Sequence, residues 1–235
     1  MVVASIGDAK RLNPVIANDS ASGDINGLVF NGLIRYDKDL HFEGDLAESW
    51  DISGDGLVIT FHLRPGVKWH DGEPFTAEDV LFTYQKLIDP NVATPYGADY
   101  QRVAKAEVLD PLTFRVTYKD PFAPALESWA MGIIPNHIIH VKDINAGEFN
   151  RHPVGTGPYR FKAWLTGQKI VLTANMAYFK GRPNIDEYDY RIIPDPATMF
   201  QELRSKGVDM MGLTPLQFSR QTDTAFFKEN FKKFR

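Results

Sequence analysis

Cysteine is missing from all 235 residues, which excludes disulfides, thiolate metal sites and cysteine nucleophiles and leaves the redox compartment open. No run of about 18 apolar residues occurs, so no segment reads as a membrane-spanning helix. Positive charge is in deficit: 26 Lys and Arg against 30 Asp and Glu give a net charge of −4. That balance argues against nucleic-acid binding by charge attraction, because the basic residues are scattered apart from the terminal "KKFR". Internal repeats and low-complexity tracts are lacking, and so are Gly-x-Ser-x-Gly, His-Glu-x-x-His and a P-loop. The commonest signatures of serine hydrolases, zinc proteases and nucleotide hydrolases are thereby removed. No basic stretch followed by an apolar one opens the chain, and "MVVASIGDAK" reads as the start of a strand. Any leader is expected to have been removed or never to have been carried.

What is present is an ordinary globular composition, 43% hydrophobic and 24% charged, with length for one large domain or two modest ones. Fifteen prolines and eighteen glycines promise many turns. The stretch most suggestive of chemistry is "VKWHDGEPFTAEDV", residues 67–80. Before it, Leu57, Ile59, Phe61 and Leu63 alternate with Val58, Thr60 and His62, the period of a half-buried strand. His62 lies on the polar face and is expected in solvent. After it, Thr76 fits a helix N-cap with Asp79 in the capping-box position, and Phe75 and Val80 fit the hydrophobic staple. Val80, Leu81, Tyr84, Leu87 and Ile88 form one helical face, and Asp89-Pro90 stops the helix. Asp71 can bond its own turn, while His70 and Glu73 can sit in solvent. Adjacent strand positions point apart, so the segment reads as a strand-to-helix joint rather than a metal or catalytic site.

Further on, "EVLDPLTFRVTY" is a hairpin turned at Asp110-Pro111, and "PFAPALESWA" and "NHIIHVKDINAGEF" suggest short helices. Past "GTGPYRFKAW" come strands Tyr159–Trp164 and Lys169–Ala174, joined through Thr166-Gly167, and "EYDYRIIP" as another. Asp195-Pro196 supplies an N-cap and first-turn proline, Met199, Phe200 and Leu203 a buried stripe, and Gly207 the C′ position. With "VDMMG" as the next strand, a βαβ crossover is expected. The fold class is mixed α/β (α+β), in two lobes.

Taken in order, "LNPVIAND", "LVFNGLIRYD", "LAESWDISGDGLVITFHLRPGVKWHDGEPFTAEDVLFTY", "DPLTFRVTY", "GTGPYRFKAW", "DYRIIPD" and "LRSKGVDM" resemble the family 5 extracellular solute-binding proteins. These are the dipeptide- and oligopeptide-binding proteins of bacterial ABC importers. The resemblance implies a periplasmic-binding-protein-like type II fold with two lobes closing on a peptide or similar solute. It implies that residues 1–31 and 153–235 are an incomplete first lobe and 32–152 an inserted α+β subdomain. Family members are about twice as long, so the second ligand-clasping lobe is expected to lie outside this chain. The implied role is the solute-binding component of an importer, delivering to a membrane permease at the periplasmic or extracellular face. No catalytic residue, cofactor or metal is implied, and a chain of this extent is expected to self-associate through uncovered surface.

By the same resemblance, the loop after "Leu-x-Pro" meets the ligand, which places contacts at Asn18, Asp19, Ser20, Ala21 and Ser22. Short polar residues there can hydrogen-bond an extended peptide, and they equally make an ordinary surface loop. Tyr96 matches a ligand-touching tyrosine, with Tyr100 the substitute if the register slips. Thr156, between Gly155 and Gly157, is expected to border the cleft. His137 and His140 have metal-ligand spacing on a helix, yet no third ligand is evident, and structural or solvated histidines are the expectation. Two other functions fit less of the sequence: a sensory or assembly domain reusing the fold, and a carboxylate- or metal-dependent hydrolase. The latter has no motif to stand on.

Overall fold

The computed structural model describes residues 1–139 and 144–234. Strand β1 (Val2–Ser5) leads through an irregular stretch into helix α1 (Ser20–Val29). Strands β2 (Ile34–Tyr36) and β3 (Phe42–Gly44) pair with each other. Strands β4 (Ala47–Ile52) and β5 (Val58–Leu63), helices α2 (Ala77–Ile88) and α3 (Gly97–Tyr100), and the hairpin β6 (Val103–Asp110) and β7 (Thr113–Tyr118) come next. The chain closes with β8 (Tyr159–Leu165), β9 (Lys169–Ala174), β10 (Glu187–Ile192), α4 (Pro196–Arg204), β11 (Met210–Met211) and α5 (Ala225–Asn230).

Two main sheets result. Residues between the ends of the chain build an antiparallel sheet in the order β4-β5-β7-β6, while the ends build a mixed sheet in the order β11-β1-β10-β9-β8. In the mixed sheet β1 runs parallel to both β10 and β11. The β10–α4–β11 crossover therefore steps over β1, and the carboxyl ends of three parallel strands open on one edge.

The alternation of Ile59, Phe61 and Leu63 buries all three against a core that also holds Phe114, Trp69 and Trp129. Trp129 is ringed by Phe61, Phe114 and Tyr100, with centroids 5.1–5.7 Å away, and its indole N–H donates to Tyr118 Oη at 3.0 Å. A smaller core of Met199, Phe200, Leu203, Val208 and Phe227 lies under α4. The "PFAPALESWA" segment forms two 3₁₀ turns, Ala123–Ala125 and Glu127–Ala130, instead of a helix. Pro121 and Pro124 supply no N–H groups there, and only single turns survive. In "NHIIHVKDINAGEF" a turn at 136–138 and a 3₁₀ turn at Glu148–Asn150 replace the expected helix, and residues 140–143 lie outside the described ones.

Helix α4 starts as expected, with Pro196 in its first turn and Asp195 Oδ1 accepting from Thr198 N at 2.7 Å. Its end differs: Lys206, not Gly207, takes the left-handed C′ conformation at φ 61°. Gly207 follows, donating its N–H to Glu202 O at 2.8 Å, which closes a Schellman turn one residue earlier than the glycine suggested.

The joint at residues 67–80 is structural, as the sequence indicated, but His70 is not in solvent. It is 8% exposed and clamps the 155–157 segment. Its Nδ1 accepts from Gly155 N at 3.2 Å, so the proton sits on Nε2, which donates to Gly157 O at 2.9 Å. Its own backbone N–H donates to Gly155 O at 2.8 Å. Burial, the largest cause, lowers its pKa to about 4 and keeps the ring neutral. Gly155 is required here, since a Cβ would run into the Val29 carbonyl at the end of α1. Asp79 is more than a cap. Its Oδ2 accepts from Thr76 N at 3.0 Å and Trp69 Nε1 at 3.3 Å, and its Oδ1 accepts from Asn136 N at 2.9 Å. Burial pushes this carboxyl up, and the three donors pull the other way.

Candidate functional site

The residues proposed to face a solute lie at the start of α1, which begins three residues earlier than a loop reading allows. Ser20, Ala21 and Ser22 form its first turn. Asp19 makes this possible: its Oδ1 accepts from Ser22 N at 2.9 Å and its Oδ2 from Ser22 Oγ at 2.7 Å. Ser22 Oγ in turn accepts from the N–H groups of Lys10 and Arg11 at 2.9 and 3.2 Å. Ser22 and Ala21 are buried, so neither side chain presents to solvent, whereas Asn18 and Ser20 are exposed and Asp19 is half-buried.

Tyr96, distant in sequence, is brought to this rim. It precedes α3, is 39% exposed, and its Oη donates to Ala17 O at 2.7 Å. Between the two lies an open groove of about 490 Å³. Asn18, Asp19, Gly23 and Asn26 form one wall, and Tyr96 and the Ala130–Gly132 stretch face them. Three of the expected positions, Asn18, Asp19 and Tyr96, thus share one concave surface. Tyr100 does not substitute for Tyr96: it is buried, its Oη donates to Ser128 O at 2.5 Å, and burial raises its pKa.

Thr156 is placed elsewhere. It is 1% exposed, and its hydroxyl donates to Asn31 Oδ1 at 3.1 Å. Asn31 Nδ2 donates onward to Asp45 Oδ2 at 2.8 Å, and Lys180 Nζ lies 2.7 Å from Asp45 Oδ1. This chain of polar groups ties the 155–157 segment to the end of β3, and the burial of Thr156 keeps its side chain from facing an open cleft.

His137 pairs with Asp71, Nε2 to Oδ2 at 2.7 Å, beside the Trp69 ring. His140, the other half of the spaced pair, lies outside the described residues. Among the described residues no group of three or more His, Asp or Glu could hold a metal ion.

Sequence reasoning missed Asn26 and the Ala130–Gly132 wall. Asn26 is 6% exposed, and neither its amide nitrogen nor its amide oxygen has a hydrogen-bond partner. A signal existed: Asn26 is a polar residue set between Ile25 and Val29 on the buried face of the helix.

Comparison with known proteins gives a consistent set. The family model for bacterial extracellular solute-binding proteins, family 5 (middle), matches residues 41–233. The oligopeptide-binding protein AppA of Bacillus subtilis is 35% identical over 221 residues, 91% of this chain and 40% of AppA. The AppA structure, in complex with a nonapeptide, superposes with a TM-score of 0.89 at 31% identity, over 96% of this chain and 46% of that one. NikZ of Campylobacter jejuni, in complex with Ni(L-His), superposes with a TM-score of 0.89 at 30% identity, over 96% of this chain and 45% of that one. The chain therefore spans less than half the length of the proteins it matches.

Proposed function

The chain belongs to the bacterial extracellular solute-binding proteins of family 5, and we propose that it is part of the solute-binding component of an ABC importer. That component captures a peptide or similar small solute outside the cell membrane, in the periplasm or at the cell's outer face, and passes it to a membrane permease without altering it. Residues 1–31 and 153–235 make the first lobe, and residues 32–152 an inserted subdomain. The opposing lobe comes from the remaining length that relatives have and this chain does not span.

The observation that carries this reading is the groove that brings Asn18, Asp19 and Tyr96 together. A rigid aromatic face opposite a helix start suits an extended solute, offering a flat apolar contact beside short polar groups. Nothing in the groove is arranged to break a bond. Of its polar side chains, Asp19 caps α1 and Tyr96 holds Ala17 O. A half-site of this kind leaves most of a solute in water, so the chain alone binds weakly. Exposed apolar side chains such as Ile6 and Met210 then favour self-association.

The test is ligand stabilisation of the protein that contains this chain, with peptides of two to nine residues as probes. Binding to the native state raises the melting temperature with log concentration, and at least one peptide class is expected to do so. Failure of all peptide lengths, with stabilisation by some non-peptide solute, would replace the peptide with that solute.

A further inference from the structure

Helix α1 bounds a second hollow on its other face. Ser20 and Asp24 are four residues apart and share that face, whereas Asp19, Gly23 and Asn26 line the Tyr96 groove. The second hollow, about 420 Å³, lies at the carboxyl ends of the parallel strands β1 and β11, bordered by Ser5, Met211 and the start of α4. In open α/β sheets ligands bind at that edge, since the loops and helix starts converge there.

The walls are apolar and adaptable. Ile6 and Met210 are exposed, and Met199, Met211 and Leu213 extend the surface. Asp24 is the one charged side chain among the described residues that line it. Its Oδ2 accepts from Tyr190 Oη at 3.0 Å. Tyr190 is buried, and that burial, with the Asp24 carboxylate adding to it, holds the phenol at about 12, so it stays a neutral donor. Thr214 and Gln217 are engaged with each other, at 2.9 and 3.3 Å. Ser20 Oγ, by contrast, makes no hydrogen bond among the described residues.

Two helices begin at this hollow, and their positive ends would by themselves attract an anion. Each end already carries its own carboxylate, Asp19 on α1 and Asp195 on α4. Lys10 and Arg11 approach Ser22 through backbone N–H groups, and neither side chain lines the hollow. The local field is therefore set by Asp24.

We propose that this hollow is a subsite for a cationic group on an apolar stem: a Lys- or Arg-like side chain of the solute. Its methylenes run along Met199, Met210 and Leu213, and its head reaches Asp24. Lys and Arg bury their stems while the charge stays at a polar rim, methionines reshape around varied stems, and a charge-assisted bond to Asp24 fixes the head. This inference rests on the peptide-binding reading above.

The experiment is calorimetry on the protein that contains this chain, with two probe sets. One is alanine-based peptides carrying a single Lys, the other the same peptides with norleucine in its place. The Lys set is expected to bind about tenfold tighter, and higher salt should narrow the gap. Asp24→Asn keeps an acceptor for Tyr190 and should bring the ratio of the two affinities to about one. Equal binding of both sets to the parent protein, or a ratio that survives in Asp24→Asn, overturns the subsite and leaves the peptide reading standing. Binding by neither set overturns both.

Discussion

The joint around His70 and the rim of α1 are built from similar polar residues and treat them in opposite ways. At the joint and the segments it clamps, the buried polar groups are used. Both His70 ring nitrogens, both Asp79 oxygens and the Asn31 amide have partners within the chain. At the rim groups are left short. Both polar atoms of Asn26 are unpaired, the Ser20 hydroxyl is free among the described residues, and Tyr96 shows its ring to solvent. Buried polar groups in folded proteins are nearly always paired, so an unpaired one needs a reason. The His-Asp-Gly-Glu segment looked like chemistry and holds the fold together; the quieter Asn, Ser and Gly residues of α1 border the open surface.

The contrast breaks most visibly at Asp79. Asp79→Ala leaves the N–H groups of Thr76 and Asn136 and the Trp69 indole without an acceptor in a buried site. A loss of about 3–5 kcal/mol in unfolding free energy is expected by urea denaturation. A loss below about 1 kcal/mol would mean that the joint is not saturated in the sense argued.

Acid tests the same joint through His70. Its folded pKa, about 4, lies below the ordinary 6.5. The unfolded chain therefore takes up the proton first as pH falls. The stability contributed by the neutral ring is whole above about pH 6.5 and is lost progressively down to about pH 4, by about 3 kcal/mol in total. Urea midpoints measured across that window should fall for the parent protein and fall less for His70→Gln. Parallel slopes would place the protonation elsewhere.

The smallest effect has the opposite sign. Asn26→Leu exchanges an unpaired buried amide for an apolar side chain of similar size, and should raise stability by about 1 kcal/mol. A destabilisation of that size, by thermal denaturation, would show that the amide has a partner in solution.

Much of the fold was legible because its signals are local. The alternation in β5 and β7, the Thr166-Gly167 turn between β8 and β9, and the Asp195-Pro196 start of α4 depend on residues within a few positions of each other. The start of α1 was not legible. "SASGDING" is rich in poor helix formers, and the helix holds because Asp19 caps it and Ile25 and Val29 are buried beneath it. The burial of His70 was equally hidden, since its partners Gly155 and Gly157 are remote in sequence. Lys206 took the conformation that glycine usually fills because the bonds to Leu203 and Glu202 carbonyls fix the turn around it. The candidate site was reached partly through resemblance, which pointed to Asn18, Asp19 and Tyr96. Asn26 and Asp24 become notable only once their surroundings are seen.

The most direct test of the contrast is the dissociation constant of one solute, measured by calorimetry for the parent protein, Tyr96→Ala and His70→Gln under conditions where all three are folded. Tyr96→Ala should weaken binding at least about tenfold with little change in melting temperature, because it removes a central aromatic contact. His70→Gln should lower the melting temperature and leave affinity within about threefold of the parent, a change too small to count as a lost contact. The reverse pattern, with affinity lost at His70 and stability lost at Tyr96, would contradict the assignment of fold to the joint and solute contact to the rim.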